Sequence, residues 1–311
     1  MAVINLVTGG AGFIGSNLVR FLVKKGESVR VLDNLSTGNI DNLDDVLTDI
    51  TFIEGDIRDF ETIQMATKGA TYVFHQAALP SVPRSIEDPF SCHETNITGT
   101  LNILLAAHDN RVKRVIYASS SSIYGDTPDL PKKESMPPSP LSPYALSKLT
   151  GEYYCKIFTS VYRLETIILR YFNVFGPKQN PESQYAAVIP KFIKSLLLNK
   201  APTIYGDGEQ TRDFTFVENV ISANILASKA KKTSGEIINI ATGVRVSINR
   251  LLEVLKEIMK KKISSLYDEP RRGDVRHSLA DISEANRILG YYPEIDFKEG
   301  LRRTISAMRS V

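Results

Sequence analysis

The strongest constraint on this chain is an alternation, through its first half, of short apolar runs with helical patterns. Runs rich in Val, Ile, Phe and Tyr recur at Val3–Val7, Ser28–Leu32, Thr51–Glu54, Tyr72–Phe74, Arg114–Ala118 and Thr166–Leu169. Each has the length and composition of a strand. Helical spacing fills the intervals at Gly12–Lys25, Glu61–Lys68, Glu94–Asn110 and Tyr144–Tyr162. This order predicts right-handed βαβ crossovers, and so an α/β fold with a doubly wound, mostly parallel sheet. Sites on such a sheet lie outside the C-terminal strand ends.

After Phe172 the texture changes. Pro177, Pro181, Pro190, Pro202, Gly206 and Gly208 separate short elements, which predicts a smaller α/β lobe packed over the crevice of the sheet. Gly235–Ala241 reads as a strand returning to the sheet. The expected division is therefore residues 1–172, with returning segments near 211–243, for the sheet domain, and the remainder of 173–311 for the lobe. With 42% hydrophobic residues in 311, a full core is available.

A net charge of +3, spread along the chain, gives no argument for nucleic acid. Cys92 and Cys155 make neither a disulfide framework nor a metal site and suit a reducing compartment. The N-terminus lacks a basic leader, and no apolar run approaches the ~20 residues of a membrane span. The expectation is a cytoplasmic protein with no metal and no membrane partner.

Thr8-Gly9-Gly10-Ala11-Gly12-Phe13-Ile14-Gly15 follows the first strand and opens a helix. Glycines at 9, 12 and 15 permit a tight turn, close approach to a pyrophosphate and close helix–strand packing, as in Rossmann-type dinucleotide sites. Asp33 ends the second strand eighteen residues after Gly15. A carboxylate there accepts from ribose hydroxyls and repels a 2′-phosphate, which predicts NAD over NADP. Asn34, Ser36, Thr37 and Gly38 follow, with a plain polar loop as the competing reading. Asp56 and Ile57 end the third strand, near the expected adenine. Gln76, Ala77 and Ala78 end the fourth and leave room for the middle of the cofactor. His75 reads as a satisfied strand-end histidine.

Tyr144 and Lys148 stand at i and i+4 of one helix, on one face. An unperturbed tyrosine is only about 0.1% phenolate at pH 7. A neighbouring ammonium and an oxidised nicotinamide ring would both favour the anion, making Tyr144 a base for a sugar hydroxyl. Tyr-x-x-x-Lys alone is common on solvated helices; its place after the fifth strand singles this one out. That strand ends in Ser119-Ser120-Ser121-Ser122, where a hydroxyl can meet the reacting oxygen.

With these motifs in order, the chain resembles the extended short-chain dehydrogenases/reductases of the nucleotide-sugar epimerase type over essentially its whole length. Within them it is most similar to the UDP-N-acetylglucosamine 4-epimerase branch. The specific segments are His75–Ser85, Arg170–Pro177, Tyr185–Pro190 and Gly273–Asp281. The resemblance implies NAD as cofactor and a UDP-sugar as substrate. It makes Ser120 the serine of a Ser-Tyr-Lys set, adds Tyr171 and Val174 to the cofactor site, and lines the sugar pocket with Ser81, Ser121 and Ser122. Asn173, Ala187, Val188 and Tyr205 fall beside the nucleotide. Arg212, Arg271 and Asp274 fall around the diphosphate and uridine ribose, where guanidinium forks suit the phosphates. It also implies a homodimer paired through a four-helix bundle of Glu94–Asn110 and Tyr144–Tyr162.

Three reactions share this scaffold: C4 epimerisation, 4,6-dehydration and decarboxylation of a uronate. Dehydratases of the family carry Asp-Glu directly after the position of Ser120, where this chain has Ser121 and Ser122. No added contact for a sugar carboxylate is evident, and Asn173 stands where uronate epimerases often have Thr. Epimerisation is the expectation. Ser278 stands where glucose-restricted relatives carry Tyr, leaving space for a 2-N-acetyl group; use of UDP-glucose beside it is the close alternative. A noncatalytic NAD-binding scaffold is the reading from a different class, opposed by the intact Tyr144/Lys148 pair.

Overall fold

The computed structural model describes residues 3–181, 187–231, 233–270 and 275–309. Six strands arise in chain order: β1 (Ile4–Thr8), β2 (Ser28–Asp33), β3 (Ile50–Glu54), β4 (Tyr72–His75), β5 (Arg114–Ser120) and β6 (Glu165–Tyr171). A seventh, Glu236–Ile240, comes from far along the chain and pairs in parallel with β6. The sheet is parallel throughout and runs, edge to edge, as the seventh strand, β6, β5, β4, β1, β2 and β3. This is the expected Rossmann-type α/β architecture.

The strands are apolar on both sides because both faces are covered. Alternate residues separate two cores. Leu6, Val73, Val115, Tyr117 and Ile168 pack under α2 (Phe60–Thr67), α5 (Gly99–Asp109) and α6 (Pro143–Ser160), with the short α3 (Val82–Glu87) and α4 (Pro89–His93) preceding α5 in the chain. Their neighbours Val7, Phe74, Ile116 and Leu169 pack under α1 (Phe13–Lys24) and α8 (Val217–Lys229). Each fully buried aliphatic side chain stabilises the fold by roughly 1.5–3 kcal/mol. The smaller region carries α7 (Val188–Leu197), α9 (Ile248–Met259) and short two-stranded pairs.

One predicted helix is divided. Glu94–Asn110 reads as continuous, whereas the structure has a π-helical turn at Glu94–Thr98 leading into α5. The wide turn carries Asn96 inward, where its side chain accepts from Leu79 N at 2.8 Å and donates to Ser147 Oγ at 3.0 Å. A π-turn commonly trades helical regularity for such a contact. Here it ties the end of β4 to the helix that bears Tyr144.

Candidate active site

β1 lies between β4 and β2, so the switch in strand order opens a crevice above its C-terminal end. The glycine loop fills the floor of that crevice. Gly9 has φ +67°, and a Cβ there would come within 2.7 Å of the Ala77 backbone; one on Gly15 would lie 2.1 Å from Gly9 O. α1 then begins with Gly12 as an N-cap that offers no side-chain bond. Its first-turn amides, Phe13 and Ile14 among them, are thus left without a side-chain cap and suited to an anion.

Asp33 is nearly buried and accepts from Ala11 N and Leu35 N, each at 2.9 Å. Burial raises its pKa, and the two backbone bonds oppose that rise. The carboxylate therefore fastens the glycine loop to β2 and still offers lone pairs to a ribose. Asn34, Ser36 and Thr37 are exposed beyond it, while Gly38 leans on Ala11. Asp56 binds Arg58 at 2.7 Å and Asn34 at 2.7 Å, and the Arg58 guanidinium holds its carboxyl down at about 2. The Ile57 side chain is buried in the core under α5, so its offering to an adenine is backbone. Across the crevice Gln76 donates to Tyr171 OH at 3.1 Å, and Asn224 binds the same phenol at 2.8 Å. Ala77 and Ala78 keep that side open, and Val174 begins the short strand after Asn173. An uncapped helix start, a cradle that a Cβ would fill and a ribose-ready carboxylate together fit a dinucleotide.

The expected reacting end is built by α6 over β5. Ser142 caps α6 by accepting from Ala145 N at 3.1 Å, and Ser85 Oγ accepts from Tyr144 N at 3.1 Å. Ser81 in turn caps the short helix Val82–Glu87 that carries Ser85. Ser120 ends β5, accepts from Ser122 N at 3.2 Å and hydrogen-bonds the Tyr144 side chain. Burial pushes the Tyr144 phenol up to about 12, with the Ser120 bond pulling the other way. Lys148 donates to Ala118 O at 2.9 Å and sits over the Tyr117 ring. Its ammonium is turned to the end of β5, a placement that helical spacing alone does not reveal. Burial brings its pKa down to about 8, so it remains mostly charged at neutral pH.

His75 is buried, with one ring nitrogen on Thr8 Oγ1 at 2.8 Å and the other on Thr100 Oγ1 at 3.0 Å. Burial lowers its pKa to about 3 and keeps the ring neutral.

On the far side stand Ser121 and Ser122 in a 3₁₀ turn. The buried Ser122 hydroxyl has no hydrogen-bond partner, a group suited to a ligand hydroxyl. Asn173, with φ +34°, directs its amide to Asp213 O at 3.3 Å and Ser278 Oγ at 3.4 Å. Such a backbone is uncommon outside glycine and often marks a functional position. Arg212 donates to Thr211 O and Arg276 O, and Ser278 N donates to Thr211 O at 3.0 Å. Val188 starts α7 with Ala187 as its N-cap, and Tyr205 O accepts from Gln210. Arg271 and Asp274 lie outside the described residues.

Two organising carboxylates escape a reading by motif. Asp213 accepts from Thr242 N, Gly243 N, Ala280 N and Thr242 Oγ1, at 2.9, 3.0, 3.3 and 2.6 Å. It thereby holds three chain segments around Arg212 and Ser278. Glu152 lies at i+4 from Lys148 and pairs with Arg170 at 2.7 Å. Its spacing was the available signal; the identity of its partner was not.

A glycine-lined crevice with a Ser-Tyr-Lys cluster beside it is the arrangement expected of the nicotinamide-dependent short-chain dehydrogenase class. The pattern of the NAD dependent epimerase/dehydratase family matches residues 5–241, and the chain belongs to that family. It is 42% identical over 307 residues to a putative UDP-glucose 4-epimerase of Methanocaldococcus jannaschii, covering 98% of each chain. Its structure is similar to the UDP-N-acetylglucosamine 4-epimerase of Methanobrevibacter ruminantium in complex with UDP-N-acetylmuramic acid. That match has a TM-score of 0.95 at 42% identity, over 100% of this chain and 99% of that one. The UDP-glucose 4-epimerase of Thermotoga maritima, solved with UDP-glucose, matches with TM-score 0.95 at 38% identity over 99% of both.

Proposed function

We propose that this NAD-dependent UDP-sugar 4-epimerase, an isomerase, interconverts UDP-N-acetylglucosamine and UDP-N-acetylgalactosamine by preference, with UDP-glucose and UDP-galactose as a second pair. Tyr144 takes the proton of the C4 hydroxyl, and Ser120 holds the same oxygen as it becomes a carbonyl. Held by the Gly9–Gly15 loop, Asp33, Tyr144 and Lys148, NAD would supply a hydride acceptor for C4 and a positive ring that would favour the Tyr144 phenolate. Lys148 adds a second positive charge one helical turn away. The 4-keto sugar stays tethered by its diphosphate, at Arg212 and the Arg271–Asp274 segment, while Ser121 and Ser122 hold the hexose lightly enough to turn. Once turned, the sugar presents the opposite face of its C4 carbonyl, and Tyr144 returns the proton to that oxygen.

The observation that carries the substrate preference is the small, half-buried Ser278 beside Asn173. A serine there leaves room for a 2-N-acetyl group that a tyrosine would fill. The division into a dinucleotide-binding sheet domain and a nucleotide-sugar lobe, with the boundaries given above, belongs to the same proposal. So does a homodimer formed through α5 and α6. Incubation with UDP-N-acetylglucosamine, UDP-glucose and UDP-glucuronate separately, with products identified by NMR, tests the reading. The acetylated sugar should turn over fastest, and Ser278→Tyr should lose it at least tenfold while keeping UDP-glucose. Faster turnover of UDP-glucuronate would refute the preference.

A further inference from the structure

Below the Tyr144–Lys148 pair lies a second polar layer with no part in the chemistry above. Ser119 on β5 is the register partner of Arg170 on β6, and Arg170 of Asn239 on the seventh strand. Glu152, one turn beyond Lys148, drops onto this row. It accepts from Ser119 Oγ at 2.5 Å and from Arg170 Nε and Nη2 at 2.9 and 2.7 Å. Arg170 Nη1 continues to Tyr124 OH at 2.8 Å, and Tyr124 donates to Asn239 Oδ1 at 2.7 Å. Asn239 Nδ2 ends the chain on Lys132 O at 3.0 Å and Asp281 O at 3.3 Å. Lys132 N donates to Leu279 O, next to Ser278.

Glu152 and Arg170 are 1% and 2% exposed. Burying such a pair stabilises a fold no better than apolar side chains of the same size, so stability is a weak reason for its presence. Geometry is a stronger one. Successive turns of α6 touch the end of β5 at three points: Tyr144 on Ser120, Lys148 on Ala118 O and Glu152 on Ser119. Close contact is possible because Gly151 passes Tyr117 where a Cβ would meet its phenol at 2.2 Å. An apolar contact would tolerate sliding and rolling of the helix; a bidentate pair does not.

We propose that Glu152 and Arg170 are positioning residues whose buried pair sets α6 over β5, so that Tyr144, Lys148 and Ser120 meet the reacting carbon together. The inference rests on the Tyr144–Lys148 assignment above. A misplacement of about 1 Å at a reacting group can lower a rate about a hundredfold.

The test compares Ser119→Ala, Glu152→Gln and the double variant Glu152→Met/Arg170→Met, with Tyr144→Phe as control. Each is assayed with NAD and UDP-N-acetylglucosamine for kcat, KM and thermal midpoint. Ser119→Ala should lower kcat about fivefold, and Glu152→Gln about a hundredfold, with KM within twofold of wild type. The double variant should recover the thermal midpoint while kcat stays about a hundredfold low. Recovery of kcat along with stability would overturn the inference, as would full kcat in Ser119→Ala and Glu152→Gln. Should Glu152→Gln fail to fold, Ser119→Ala and the double variant decide. An active Tyr144→Phe would instead bring down the underlying assignment; an inactive one beside fully active Ser119→Ala and double variants would bring down this inference alone.

Discussion

Lys148 carries charge where water hardly reaches: the residue is 4% exposed and its pKa falls from 10.5 to about 8. Below pH 8 the ammonium is present folded and unfolded, and burial penalises the fold by up to about 3 kcal/mol. Between pH 8 and 10.5 the unfolded chain holds more protons than the folded one, so the penalty fades as pH rises. Lys148→Met should therefore raise stability by roughly 1–3 kcal/mol at pH 7, by denaturant unfolding, with the gain gone near pH 10.5 and turnover abolished. A destabilised variant at pH 7 would contradict this reading of the site. Tyr144, Lys148 and Asp33 were open to proposal from the sequence because their spacing from a strand end or from one another is local. Asp213 and Glu152 were not, because their partners at Thr242, Ala280 and Arg170 lie on segments that only the fold brings near.

At the scale of elements, local patterning carried most of the information. The six predicted strands agree with β1–β6 to within two residues at either end, because strands covered on both faces are continuously apolar. The exception, the π-turn at Glu94–Thr98, is set by what Asn96 reaches across the fold, which no local periodicity records. The junction of β1 and α1 depends on contact between backbones, so it should tolerate no side chain. Gly15→Ala should weaken NAD binding at least tenfold, measured by calorimetry, since its Cβ would press on Gly9 O at 2.1 Å. Gly26→Ala, with open space around it, should alter stability by about 1 kcal/mol and leave NAD affinity unchanged. Equal affinity in both variants would mean that the loop does not cradle the cofactor.

Across the whole molecule, the seventh strand makes the fold discontinuous in sequence, as Gly235–Ala241 had suggested. What remained out of reach was how the two regions meet, since Asn173 and Ser278 join by a side-chain bond across 105 residues, and Thr211 pairs its backbone with Arg276 and Ser278. No helix among the described residues is long and apolar enough to cross a membrane. α6 nonetheless leaves Leu146, Tyr153 and Ile157 exposed along one stripe, with Phe90 nearby at 75% exposure. The homodimer proposed above would cover this stripe, a surface that water alone would not favour. The unmodified protein should then sediment as a dimer and Leu146→Glu/Tyr153→Glu as a monomer; identical sedimentation would reject that interface.

The central claim is that the carbon-bound hydrogen leaves C4 and returns to it without meeting water. UDP-N-acetylglucosamine deuterated at C4, brought to equilibrium with the enzyme in ordinary water and followed by proton NMR, tests it directly. The account predicts UDP-N-acetylgalactosamine with its C4 deuterium intact; a C4 proton acquired from solvent, or no epimer at all, would contradict it.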